Sequence, residues 1–201
     1  IFVRDTGLER LFGTIKWRMN MFAAKMKPRW ISPEEYLQQE DTSTERHEYF
    51  KGEIFMMAGG TYNHERIGGN CFAILHQHAR RKRCTAFGAN MKIQVKANGL
   101  YTYPDAMLVC GKIEFGEERK DIVTNPQLIV EVLSDSTQSY DRGDKFALYR
   151  GIPAFTHYLL IHQDQPLVEF HHKTPLGWLL TEIKGIDALL NLAQIDLQIP
   201  L

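Results

Sequence analysis

The chain has 201 residues, 44% of them hydrophobic, and its 24 basic and 24 acidic residues give a formal net charge of zero. That length and apolar content provide for one sizeable core and a single domain. Electroneutrality argues against a protein whose main business is coating nucleic acid, although it leaves room for a local basic groove.

Residues 1–27 show little regular pattern beyond the helical spacing of Leu8, Leu11, Phe12 and Ile15, and they read as an N-terminal extension to a domain over 28–201. The sequence opens on Ile1, and Met19, Met21 or Met26 is the expected natural start. Ser32-Pro33-Glu34-Glu35 is a helix start, with a Ser cap, Pro at the first helical position and Glu at the third; the helix should run to about Glu40. Residues 49–57 read as a hairpin turning at Lys51-Gly52. The longest predicted helix spans His64 to Arg83, with Ile67, Cys71, Ile74, Leu75 and His78 as its inner stripe. Arg80 to Arg83 would then sit at its C-terminal end, where the macrodipole favours cations.

Strands follow. Thr85 to Gly88 is short, and Met91 to Lys96 alternates and so should be half exposed. Asn98-Gly99 turns into a strand over Tyr103 to Cys110. Gly111 to Asn125 is charged and reads as loop. Gln127 to Leu133 is the next strand, and 141–149 is a helix stopped by Gly151-Ile152-Pro153. Three more strands are predicted at His157 to His162, Leu167 to His172 and Trp178 to Ile183, with a last helical turn at Asp187 to Leu192. The order implies an α/β domain built on a mixed sheet.

The chemistry is signalled by Glu131. Apolar residues occupy both parities of Gln127 to Leu133, so this strand is buried on both faces, and an ionised carboxylate there requires a partner, a proton or a metal ion. The upstream strand opens on Asp105. If the two strands are neighbours, Asp105 and Glu131 converge and can hold a divalent cation such as Mg²⁺, which takes one or two carboxylates plus substrate phosphate. Lys145 is the candidate for orienting water or stabilising developing charge. Its competing reading is an ordinary i,i+4 pair with Asp141.

Tyr103-Pro104-Asp105, Ile129-Val130-Glu131-Val132-Leu133-Ser134 and Tyr140-Asp141-Arg142-Gly143-Asp144-Lys145, preceded by Glu48 to Ile54, resemble the Uma-two family of endonucleases within the PD-(D/E)xK nuclease superfamily. The resemblance covers about residues 28 to 201. It implies a restriction-endonuclease-like mixed sheet flanked by helices, Mg²⁺ (with Mn²⁺ substituting), and nucleic acid, DNA first, as substrate. It allows a homodimer. Asp105 matches the Asp of the PD motif and Glu131 the (D/E), both as metal ligands. The motif lysine is replaced by Leu133, and the resemblance puts it on the following helix at Lys145. Glu48 enters as a further acidic ligand or water-orienting group, and Ser134 and Asp141 as supporting groups. Two rivals stand beside this reading: an inactive nuclease fold that still binds metal or nucleic acid, and a structural protein in which Glu131 pairs with an arginine or with Lys145.

The remaining candidates carry less. His76 and His78 point to different helix faces, His171 and His172 to opposite strand faces, and His157 and His162 lack a ligand pattern. Cys71, Cys84 and Cys110 are isolated, form no CxxC pair and are expected to be reduced, as in a cytoplasmic protein. No apolar run reaches the roughly 18 residues of a membrane span. Arg66 and Arg80 to Arg83 are candidate phosphate contacts. Binding made through phosphates alone would be steeply salt-dependent.

Overall fold

The computed structural model describes residues 29–57 and 59–201, so the extension read at 1–27 lies outside the described residues. Helix α1 (Pro33–Glu40) starts where the sequence places it. Ser32 Oγ accepts from the Glu35 amide at 3.1 Å, and Glu35 accepts from the Ser32 amide at 3.1 Å, closing the capping box. The hairpin β1 (His47–Phe50) and β2 (Glu53–Met56) also forms as read. Its turn needs positive φ at both central residues, 48° at Lys51 and 89° at Gly52, and the Trp30 ring lies where a side chain at Gly52 would project.

Helix α2 (Tyr62–Ala79) is the longest. Then come β3 (Cys84–Gly88), β4 (Lys92–Val95), β5 (Leu100–Thr102), β6 (Ala106–Cys110), β7 (Phe115–Gly116), β8 (Arg119–Val123) and β9 (Leu128–Val132). Helix α3 covers 138–149, and its middle turn, Asp141–Lys145, is π-helical. The chain ends with β10 (His157–Ile161), β11 (Leu167–Thr174), β12 (Gly177–Lys184), β13 (Leu189–Leu192) and β14 (Leu197–Pro200). Two six-stranded mixed sheets result, in the orders β2-β1-β5-β4-β8-β7 and β12-β11-β10-β9-β6-β3. Each contains one parallel pair, β4 with β8 and β9 with β10.

Burial organises these into layers. Ile93, Val95 and Leu100 of the first sheet pack with Met107, Ile129 and Leu160 of the second, together with Tyr149 from α3. The other face of the second sheet, with Leu108, Leu128 and Val130, is covered by Cys71 and Leu75 of α2 and by the β13–β14 ribbon. Tyr36 and Leu37 of α1 close the outer face of the first sheet against Tyr49, Tyr101 and Ile122. Strand β9 is therefore buried on both faces, as its run of apolar residues requires.

The structure corrects several expectations. Tyr103 to Cys110 is not one strand: β5 ends at Thr102 in the first sheet, β6 begins at Ala106 in the second, and Tyr103-Pro104-Asp105 crosses between them. Strand β4 is buried at all four positions rather than half exposed. Lys92 lies under α1, its ammonium 5.9 Å from the Tyr36 ring, 5.5 Å from the Tyr103 ring and 3.5 Å from Asp121. The charged segment 111–125 contains the β7–β8 hairpin, because Ile122 and Val123 supply a buried end that pairs with β4. Residues 189–192 are strand β13, not a helical turn. Helix α2 begins at Tyr62 and stops at Ala79, so Arg80 is its cap and Arg81 to Arg83 lie beyond it. Cys84 and Cys110 face each other in register across β3 and β6 and are joined by a disulfide, so only Cys71 is a free thiol among the described residues.

Of three imidazoles packed into this scaffold, His157 is buried and His78 and His171 are half-buried. Burial holds His78, His157 and His171 below the ordinary histidine range. His157 is 2% exposed, its ring stacked 5.9 Å from Phe170 and opposite His172 on β11. In the unfolded chain a histidine takes up a proton near pH 6.5, above the folded value, so the unfolded state binds more protons as pH falls and stability drops. Between about pH 7 and pH 5 these imidazoles should therefore lower the melting temperature, against the opposite contribution of Asp105 and Glu131, whose raised pKa values favour the folded state as pH falls. His157→Phe should flatten that slope in a calorimetric pH series. A slope unchanged by the substitution would mean that His157 takes no part in the acid sensitivity.

Candidate functional site

Three elements bring the site together. Strands β6 and β9 are antiparallel with Ala106 opposite Val130, and continuing that register by one residue sets Asp105 opposite Glu131. The two side chains share the face that carries Met107 and Ile129, and they project between the sheets. Strand β1 contributes Glu48 from the first sheet, and the π-helical turn of α3 contributes Asp141 and Lys145. Such turns are frequent where a helix must aim side chains at a functional site.

Lys145 is the hub. The residue is 4% exposed, and its ammonium lies 3.0 Å from Glu131 Oε1, 3.1 Å from Glu48 Oε1 and 3.6 Å from Asp141 Oδ1. Burial opposes its charge, but the surrounding carboxylates outweigh that effect and lift its pKa well above the ordinary lysine value. The Tyr149 hydroxyl donates to Glu131 Oε1 at 2.7 Å. Thr102 and Tyr140 donate to the two oxygens of Glu48. Asp105 Oδ2 accepts from the Val132 amide at 2.6 Å and faces His64 Nε2 at 3.4 Å. Burial is the main cause that raises both Asp105 and Glu131, and it pushes Glu131 up to about 8 despite the attraction of Lys145.

These carboxylates are costly in their charged form, and the Lys145 ammonium beside them is shared three ways among the described residues. Asp105 Oδ1 and Glu131 Oε2 make no hydrogen bond among the described residues, whereas their other oxygens are engaged. Paired carboxylate oxygens of that kind suit a hard divalent cation that keeps water or phosphate on its remaining positions. No cage of three or more His, Cys, Asp or Glu ligands exists among the described residues, so any such ion would depend on substrate oxygen and water to complete its coordination.

The sequence candidates Asp105, Glu131, Lys145 and Glu48 are thus neighbours, and Asp141 joins them. Ser134 stands at the end of β9, where its hydroxyl lies 2.9 Å from that of Thr137 and caps the loop entering α3, not the carboxylates. Leu133 is buried in the core between the sheets. His64, Tyr140, Tyr149 and Thr102 were missed by the sequence reading. Nothing in the local pattern marks them, because each meets its carboxylate through contacts remote in the chain. The group opens onto a cleft of about 1400 Å³ whose rim includes Phe55, Met57, Tyr62 and Asp164.

A family model described as "Putative restriction endonuclease", Uma2, matches residues 33–201. Two uncharacterized proteins of Synechocystis sp. are similar to this chain. The first, slr1290, is 38% identical over 160 residues, covering 79% of this chain and 83% of the relative. The second, sll1609, is 37% identical over 159 residues, covering 79% and 90%. The fold resembles the crystal structure of "a putative nuclease belonging to DUF820" from Anabaena variabilis. That match has a TM-score of 0.67 and 18% identity, and covers 83% of this chain and 91% of that one. No helix among the described residues is long and apolar enough to cross a membrane.

Proposed function

From the premise that this chain belongs to the Uma2 family, described as "Putative restriction endonuclease", we propose that it is a Mg²⁺-dependent endonuclease that hydrolyses DNA phosphodiester bonds. The observation that supports this most is the pairing of Asp105 and Glu131 on adjacent antiparallel strands, with the Lys145 ammonium 3.0 Å from Glu131 at the cleft.

Asp105 Oδ1 and Glu131 Oε2 would hold the ion, and Mn²⁺ would serve in its place. A bound divalent cation supplies Lewis-acid polarisation of the phosphate and charge neutralisation. Lys145 stabilises the charge that grows on the phosphoryl oxygens and holds the attacking water in line, the task that a lysine at position 133 would otherwise perform. Glu48, held by Thr102 and Tyr140, fixes the position of that ammonium from the opposite sheet. His64, facing Asp105, orients its carboxylate.

Incubating the protein with supercoiled plasmid tests the reading. Nicking is expected with Mg²⁺ or Mn²⁺ and none with EDTA. A second reading draws on the closed set of contacts around Lys145: Glu48, Glu131 and Asp141 all pair with that one ammonium within the chain, as in a fold that keeps its ion network without turnover. Binding of Mg²⁺ by calorimetry with no nicking under any condition would favour that reading. Absence of both would leave a purely structural network.

A further inference from the structure

Resting on the nuclease reading, we propose that the substrate enters this site as an unpaired strand, held by base stacking on Phe55 and Tyr62 rather than by cations on its phosphates. Among the described residues the cleft lining contains five aspartates and four glutamates, with Arg46 and Lys145 as its only lysine or arginine side chains. Both are outnumbered by the carboxylates around them. Lys145 is shared by three carboxylates, and the Arg46 guanidinium donates to the Ala89 carbonyl. The basic run at Arg80 to Arg83 lies past the far end of α2, whose 18 residues carry it about 27 Å from Tyr62 at the cleft.

A duplex binds chiefly by having its phosphates neutralised, and here it would bring two charged strands against an acidic wall. That reverses the expectation of steeply salt-dependent binding.

The same cleft has an apolar side. Phe55 pairs directly with Glu48 across the hairpin, so both side chains stand on the face turned to Lys145; Phe50 and Met57 share that face and line the cleft with them. The Phe55 ring is 48% exposed although it neighbours the buried Glu48. Tyr62, the first residue of α2, is 74% exposed, and the Arg66 guanidinium lies 5.6 Å from its ring centre. Exposed aromatic rings beside a phosphate-handling site serve a strand whose base faces are open, because every base has a π-face to stack. A duplex keeps those faces inside its own stack and gains nothing from them. The bases flanking the scissile phosphate would therefore rest on the rings while Asp105 and Glu131 face the phosphate.

The test compares one fluorescein-labelled oligonucleotide as a single strand and as a duplex. With Mg²⁺, kcat/KM for the single strand should exceed that for the duplex by about tenfold or more. The Phe55→Ala, Tyr62→Ala double variant should raise KM for the single strand by about 10–100-fold with kcat little changed, the scale of losing a stacked base or two. Anisotropy with metal-free protein should show single-strand binding that changes little between about 50 and 200 mM salt. Preferential cleavage of the duplex, an unchanged KM in the double variant, a steep salt slope, or no single-strand binding without metal would each overturn the inference. Wild-type protein that cleaves neither form with Mg²⁺ or Mn²⁺ would instead show that the nuclease reading has failed.

Discussion

Lys145→Ala should lower Mg²⁺-dependent cleavage by about 10²–10³-fold, the scale of losing one preorganised electrostatic stabiliser. The same substitution leaves Glu48, Glu131 and Asp141 buried around a vacated cation position. Removing one partner of a buried ion pair costs about 3–5 kcal/mol, and at about 2–4 °C per kcal/mol for a chain of this size the metal-free protein should melt on the order of 10 °C lower. Proton uptake by Glu131, whose pKa is already pushed up to about 8, softens that loss. Added Mg²⁺ should stabilise the variant more than the wild type, since the ion replaces the missing positive charge. Adding Leu133→Lys should restore part of the rate, because positions 131 and 133 share a strand face, though Leu133 is itself core and its replacement costs stability. Cleavage by Lys145→Ala at the wild-type rate would remove Lys145 from the mechanism. Equal Mg²⁺ stabilisation of both proteins would separate the ion from this cluster.

Asp105→Asn should abolish Mg²⁺ binding and cleavage while leaving the metal-free protein as stable as the wild type or more so. Burial raises the Asp105 pKa, so its charged form opposes folding when no ion is present. An asparagine keeps an oxygen to accept from the Val132 amide and drops only the charge. Asp105→Ala, in contrast, leaves that amide without its partner and should destabilise by about 1–3 kcal/mol. Isothermal calorimetry with Mg²⁺ and thermal melts of the two variants check this. Unfolding of Asp105→Asn would assign Asp105 to the scaffold and not to a metal site.

Much of this molecule is legible locally. Ser32-Pro33-Glu34-Glu35 carries its own capping hydrogen bonds, and Lys51-Gly52 its own turn geometry, so both form as written. Glu131 betrays itself by contrast: a carboxylate in a strand apolar on both parities has to be met, and it is met by Lys145 and Tyr149. The resemblance to the Uma-two motifs points to Asp105, Lys145 and Glu48, which register and helix geometry then bring to the same place.

Other features depend on what packs above or beside an element, which no periodicity reports. Strand β4 alternates like a half-exposed strand, yet α1 covers its polar face and buries Lys92. Cys84 and Cys110 are isolated along the chain and joined only because β3 pairs with β6 in that register. His64 reaches the site from a helix start that no local signal connects to it. Sequence by itself determined the elements whose energetics are local and the carboxylate that demanded a partner. Tertiary structure decided which partners arrived, because burial and Coulomb attraction act between groups that only the packing of the two sheets brings within reach.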